Sequence, residues 1–169
     1  MCDKKTNKVP IAIALPVLII GSFNNNKVAN MMTVSFASIC ESKPLCICIS
    51  ISEKSLSYQN IKATQVFSVN VPSKGFENTC DYLGGVSGFN EDKCKESGLN
   101  YKSGSHLEVP VLEDVLVSYE CQVIHSYKID KHVMIIGQVK EIHDKSLGNN
   151  VLNELQPLSY DFNCLSYRL

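Results

Sequence analysis

The chain has 169 residues, 44% hydrophobic and 20% charged, with 16 basic residues against 17 acidic ones and a formal net charge of −1. One domain of this size, here 1–169, buries about 68–70% of its unfolded surface, so folding needs neither a disulfide nor a metal. The charges are interspersed and form no basic tract, which argues against a nucleic-acid partner.

The eight cysteines are Cys2, Cys40, Cys46, Cys48, Cys80, Cys94, Cys121 and Cys164. No C-x-x-C pair occurs, so the zinc-ribbon and thioredoxin patterns are missing. Cys46 and Cys48 alternate with Ile47 and Ile49 and read as small buried hydrophobes on one strand face. Reduced thiols in a cytoplasmic protein are the expectation.

In chain order, Lys4, Lys5 and Lys8 precede an apolar run from Val9 to Gly21. The arrangement is like a secretory signal, but Pro16 interrupts it and no small-residue cleavage site follows. The run is also shorter than the roughly 20 residues of a membrane span, so no membrane partner is expected. It reads as a first strand, Pro16–Phe23, entered through Val9–Leu15. A polar turn, Asn24-Asn25-Asn26-Lys27, leads to Asn30-Met31-Met32-Thr33-Val34-Ser35. These polar, strand-competent residues lie between two apolar strands. They suit either an amphipathic edge strand or one whose backbone faces a ligand.

Pro44 opens the apolar strand Leu45–Ile51. Ser52–Ala63 loses the period of two and reads as a short helix with serines available as N-caps. Val66–Pro72 alternates cleanly and ends at its proline. Phe76–Leu83 reads as a helix stopped by Gly84-Gly85. Ser87–Asn100 is a glycine- and charge-rich loop with one helical turn at Glu91–Glu96. Val109–Asp114 leads into two long strands, Val117–Ile129 and His132–His143, joined by a tight hairpin at Asp130-Lys131. Tyr119, Cys121, Val123 and His125 are expected on one face of the first. Val133, Ile135, Gly137, Val139 and Glu141 are expected on one face of the second. Asn149–Leu155 and Pro157–Tyr160 are short terminal elements. At least six strands with few helices and no βαβ alternation indicate a mainly antiparallel β-barrel.

No G-x-S-x-G, P-loop or G-x-G-x-x-G pattern is present. His125, His132 and His143 with a carboxylate could ligate a metal from facing strands, although hairpin histidines are commonly surface groups. Two features point to a ligand instead. The serine-rich helix start, with Ser52, Ser55 and Ser57 beside Lys54, suits an anion, because a helix N-terminus offers free N–H groups and a positive dipole end. Plain capping also explains it. Asn30–Ser35 lies one strand away, and together the two could hold a planar polar ring and a phosphate tail.

The residues also carry a family pattern. Pro16-Val17-Leu18-Ile19-Ile20-Gly21 with Asn30-x-Met32-Thr33-Val34-Ser35 resembles the start of the flavin reductase-like, or flavoredoxin, family of FMN-binding split barrels. Cys40-x-Ser42-Lys43-Pro44-Leu45-Cys46, Ser55-x-Ser57-Tyr58-x-Asn60-Ile61 and Phe67-Ser68-Val69-Asn70-Val71-Pro72 continue it in order. So do Cys80-Asp81-Tyr82-Leu83-Gly84-x-Val86-Ser87-Gly88, then Asp92-Lys93, His132 with Gly137, and Pro157-Leu158-x-Tyr160-Asp161.

The resemblance implies a six-stranded split barrel with Greek-key order, a homodimer and one FMN per subunit. By position, Asn30, Met31, Met32, Thr33, Val34 and Ser35 would line the ring and ribityl chain. Ser50, Ser52, Lys54, Ser55, Ser57 and Tyr58 would surround the phosphate, with Lys54 replacing a basic residue that many relatives carry where Ser52 stands. Ser87, Gly88 and Lys93 would close over the cofactor, and His132 would serve the second substrate. The implied activity is electron transfer through FMN, from NADH, NADPH or a protein donor, to free flavin, ferric iron or a partner protein. The alternative is a non-catalytic FMN- or haem-binding electron-transfer or sensor module.

Overall fold

The computed structural model describes residues 14–144 and the strand segments Ser159–Asp161 and Ser166–Arg168. Apolar alternation sets the early strands: β1 (Leu15–Pro16), β2 (Leu18–Phe23) and β3 (Ala29–Val34). β4 (Ala37–Ser42) and β5 (Leu45–Ser52) form the next hairpin. Helix α1 (Leu56–Thr64), strand β6 (Val66–Val71) and helix α2 (Glu77–Gly85) follow. Helix α3 (Lys93–Glu96) leads to the short pair β7 (Tyr101–Ser103) and β8 (Pro110–Leu112). The long strands β9 (Val117–Ile129) and β10 (His132–Asp144) precede β11 (Ser159–Asp161) and β12 (Ser166–Arg168).

The main sheet is antiparallel, in the order β3-β2-β6-β9-β10-β5-β4. Its two end strands, β3 and β4, are consecutive in the chain and separated only by Ser35 and Phe36. Two linking residues span at most about 11 Å, so the sheet must curl until its edges meet. The amide of Ser50 on β5 donates to the Phe36 carbonyl at 2.8 Å, across the closing corner. The result is the expected barrel, with seven strands instead of six. β4 is the additional strand. Five of its six residues are exposed, so it shows no buried alternation.

Successive side chains of a strand face opposite ways, and here each face finds its own core. Ile20, Val34, Ile49, Phe67, Val69 and Cys121 fill the barrel, and Ile61 of α1 caps it. Ile19, Met31, Cys80, Leu83 and Cys94 pack outside, between β2–β3 and the α2–α3 segment. Asp130-Lys131 makes the expected two-residue hairpin, with Asp130 left-handed at φ 49°. At the other hairpin, Asn24 Oδ1 accepts from the amides of Asn26 and Val28, both at 2.9 Å.

Two bulges correct the face assignments. Tyr119, Cys121 and Val123 do share the barrel face. The register then slips at Ile124, and His125 is exposed, its ring stacked on Tyr127. On β10 the extra residue is Lys140, so Glu141 pairs with Glu120 on the outer face and leaves the row of Val133, Ile135, Gly137 and Val139. A bulge reverses every later side chain, which alternation alone does not reveal. The N-terminal entry before residue 14 and Asn149–Leu155 lie outside the described residues.

Candidate functional site

The helix expected from Ser52 begins at Leu56, because Ser52 still pairs with His132 in the β5–β10 ladder. Ser55 is its N-cap. The Ser55 hydroxyl accepts from the Tyr58 amide at 3.1 Å and donates to the Ser52 carbonyl at 2.8 Å. Helices leave their leading amides without intrahelical partners. Here the Tyr58 and Gln59 amides turn back to Ser55, which leaves those of Leu56 and Ser57 at the mouth of the helix.

A cleft of about 270 Å³ opens at that mouth. Asn30, Met32, Ser52, Lys54, Ser55, Ser57, Ser87, Gly88 and Lys93 line it, together with Leu56 and the Leu83–Val86 turn that ends α2. Nine of the residues expected around a cofactor therefore converge from three separate stretches of chain. The cleft's charged lining groups are Lys54 and Lys93, with no carboxylate among its described residues.

Asn30 is buried and held by a 2.8 Å bond from its Nδ2 to Ser57 Oγ. Gly88 packs so closely on it that a Cβ there would meet Asn30 Oδ1 and approach within 2.9 Å of Leu56 Cδ2. Lys93 is 4% exposed, yet its ammonium has one bond among the described residues, to the Leu83 carbonyl at 2.8 Å. Burial without a carboxylate partner pulls its pKa down to about 8. Asp92 positions it by capping α3, accepting from the Lys95 amide at 3.1 Å.

The other expected residues lie elsewhere. The Met31 side chain is fully buried in the outer core and that of Val34 in the barrel, so only their backbones remain available to a ligand. Thr33 donates to the Cys80 carbonyl at 2.7 Å and ties β3 to α2. The Met31 backbone meets the Cys94 thiol and partly opposes the upward push of burial on it. Ser35 follows β3 and, with Phe36, makes the link to β4. Tyr58 packs on the barrel core and lines a different cavity, with Lys62 and Gln65. Ser50 is half-buried at the closing corner. His132 sits across the ladder from Ser52, its ring edge-on to Phe36 at 6.2 Å, outside the lining of the cleft.

The histidines expected to share a metal occupy separate places. His143 Nε2 lies 2.7 Å from Glu120 Oε1, while His125 and His132 pack on aromatic rings. The Glu120–His143 pair was not foreseen. Burial raises the Glu120 carboxyl, but His143 and the amides of Leu107, Ser105 and His106 outweigh that and hold it below its ordinary value. The six cysteines among the described residues are free. Burial pushes the Cys80 thiol up to about 12, which makes it a poor nucleophile. No helix among the described residues is long and apolar enough to cross a membrane.

Residues 12–163 match the model of the flavin reductase like domain, and the chain belongs to that family. Its fold is similar to that of flavoredoxin from Desulfovibrio vulgaris (Miyazaki F), 24% identical, with a TM-score of 0.85 over 99% of this chain and 92% of that one. Flavoredoxin from Methanosarcina acetivorans is 22% identical, with a TM-score of 0.85 over 99% and 91%. An FMN-binding protein from Thermus thermophilus, with 1-cyclohex-2-enone bound, is 18% identical, with a TM-score of 0.83 over 99% and 93%. In sequence, the chain is 23% identical over 111 residues to an uncharacterised protein of Pyrococcus abyssi; the match covers 66% of this chain and 63% of that protein's length.

Proposed function

We propose that this chain is an FMN-dependent oxidoreductase of the flavin reductase type, with the serine-lined cleft as its flavin site. The observation that carries the reading is the charge of that cleft: Lys54 and a buried Lys93 beside a helix N-terminus, with four serines and no carboxylate. That donor set fits a phosphate-bearing ligand. Ser52, Lys54, Ser57 and Ser87 would hold the phosphate end, Asn30, Met32 and Gly88 the ring end, and Lys93, which lines the same cleft, would offset the negative charge of the ligand.

FMN, when bound, supplies the capacity to accept electrons and pass them on. The chain contributes position and field. Ser57 fixes the Asn30 carboxamide, and Gly88 lets the loop after α2 close on it. Met32 provides an apolar wall that excludes water. The Lys93 ammonium and the backbone amides of Thr33 and Ser35 would stabilise the negative charge that reduction adds. His132, at the rim beside Ser52, orients the second substrate.

The electron donor in this reading is NADH, NADPH or a redox protein, and the acceptor is free flavin, ferric iron or a partner protein. A homodimer belongs to the same reading; Phe36 and Ile39, exposed apolar side chains beside and on edge strand β4, offer a surface for it. The six free thiols among the described residues support a reducing, cytoplasmic setting.

The test is a visible spectrum of the purified protein, followed by NADH or NADPH without oxygen. A yellow protein that bleaches rapidly supports an oxidoreductase. Bleaching only by a chemical reductant points to carriage of the cofactor without turnover. A colourless protein that takes up no FMN refutes the flavin site.

A further inference from the structure

Beyond Asn30 and Gly88 lies a second cleft of about 330 Å³, with a lining of a different kind. It shares Asn30, Leu56, Gly88 and Lys93 with the serine-lined cleft, so the two are neighbouring lobes. Carboxamides and carboxylates dominate its far side: Asn24, Asn60, Asn90, Glu91 and Asp92. Lys93 is the cation in this lining, against the two acids Glu91 and Asp92. Its ammonium is tied to the Leu83 carbonyl, and Leu83 lines the serine lobe only.

Two of the carboxamides belong to residues that are at least nine-tenths buried. Asn30 is 5% exposed and Asn60 4%. Each spends an Nδ2 proton inward, on Ser57 Oγ and on Ser22 Oγ at 3.2 Å. Neither Oδ1 accepts a bond within the described residues, where no buried side-chain oxygen or nitrogen lacks a partner. Both oxygens therefore reach solvent; Asn60 lines this cleft and not the serine-lined one, while Asn30 lines both. A buried acceptor facing a cavity gains by meeting a donor and loses by meeting another acceptor, because the lone pairs then stay unpaired.

We infer that the asparagine-lined lobe is a second ligand site, taking a neutral planar molecule that bears a hydrogen-bond donor, a primary amide or a hydroxyl, and rejecting carboxylates of the same shape. The donor group meets Asn30 Oδ1 and Asn60 Oδ1, while Glu91 and Asp92 repel an anion. This gives the two lobes opposite charge preferences on either side of the Asn30–Gly88 wall. The inference rests on the flavin reading only in placing this lobe beside a bound cofactor.

Benzamide and benzoate share a ring and differ at the group in question. Each is titrated into the FMN-loaded protein at neutral pH, with binding read from the ¹⁵N–¹H signals of the asparagine side chains and FMN retention from the visible spectrum. Benzamide is expected to bind at least tenfold more tightly than benzoate, to shift the Asn30 and Asn60 amide signals, and to leave the flavin in place. Glu91→Gln with Asp92→Asn keeps the acceptor to Tyr82 and the cap of α3, so the fold is retained. That variant should narrow the ratio by improving benzoate alone. Equal binding, a preference for benzoate, or shifts confined to other residues would overturn the inference. So would displacement of FMN by benzamide, since the lobe would then be part of the flavin site. A protein that takes up no FMN refutes the flavin reading instead, and the same titration on that protein still decides whether the lobe prefers benzamide.

Discussion

Lys93 is the residue whose behaviour can be worked furthest from the structure. Its ordinary pKa is 10.5, and burial lowers it to about 8 in the protein without ligand. A bound phosphate ester brings negative charge and restores the reason to hold a proton. Binding then takes up a proton wherever the free protein has lost it, and affinity falls as the pH rises through the free-state value. With a bound-state pKa near the ordinary one, the neutral fraction of free Lys93 grows from about a tenth at pH 7 to about nine tenths at pH 9, and the FMN dissociation constant rises about tenfold. The phosphate itself titrates near 6, below this window. Fluorescence titrations of FMN at pH 7, 8 and 9 and one ionic strength measure the slope. Lys93→Met keeps the packing and removes the charge, so it should bind weakly at pH 7 and lose the slope. The same variant without ligand should be more stable than the parent by about 1–3 kcal/mol, because the parent buries a cation with no counter-ion. A flat profile in the parent protein, or an equal slope in the variant, would refute the assignment of Lys93 to the anion site.

Four other outcomes follow from individual contacts. Ser55→Ala removes the α1 cap and should cost about 1 kcal/mol in urea denaturation. Ser57→Ala frees Asn30 and should weaken FMN binding more than it lowers stability; equal losses would mean Ser57 only braces the fold. Gly137→Ala sets a Cβ about 2.5 Å from the Phe67 ring, and the repacking should cost about 1–3 kcal/mol in the same assay. Glu120→Gln exchanges a buried acceptor of four partners for a group that is half donor, and should cost about 2 kcal/mol or more at pH 7. Because the Glu120 pKa is held below its ordinary 4.5, its contribution is complete above that value and fades as the pH falls through the lowered one. Denaturation at pH 7 and pH 3.5 should therefore show a shallower acid loss in the variant, and parallel profiles would exclude Glu120 as the source.

Much of the fold was legible because its strands obey simple periods. β9 occupies Val117–Ile129, the bounds that alternation and the Asp130-Lys131 turn imply. β4 was not legible, since an exposed edge strand buries no face and leaves no hydrophobic period. The two bulges were hidden for a related reason: an inserted residue changes pairing without changing composition. At the site, the serines and Asn30 carried a local signal. The burial of Lys93 did not, because its surroundings come from α2, and a lysine in a charged loop reads as a solvated one. The fates of Met31 and Tyr58 show the complementary error. Residues adjacent to a site in sequence face away from it whenever the strand or helix period turns them inward.

The two-residue link between β3 and β4 bears on when the cleft comes into existence during folding. The two strands it joins lie at opposite ends of the sheet order, and the ladders between them include β2–β6, β6–β9 and β5–β10, which connect stretches far apart in the chain. Such non-local ladders form slowly. Asn30, the start of α1 and Lys93 come from separate stretches that the folded chain brings together, so a ligand of the serine cleft recognises the finished barrel and not the unfolded chain. By mass action a ligand held at a hundred times its dissociation constant would add about 2.7 kcal/mol to the folded state. Supply of cofactor would then set how much newly made chain remains folded, as well as how much of it is active.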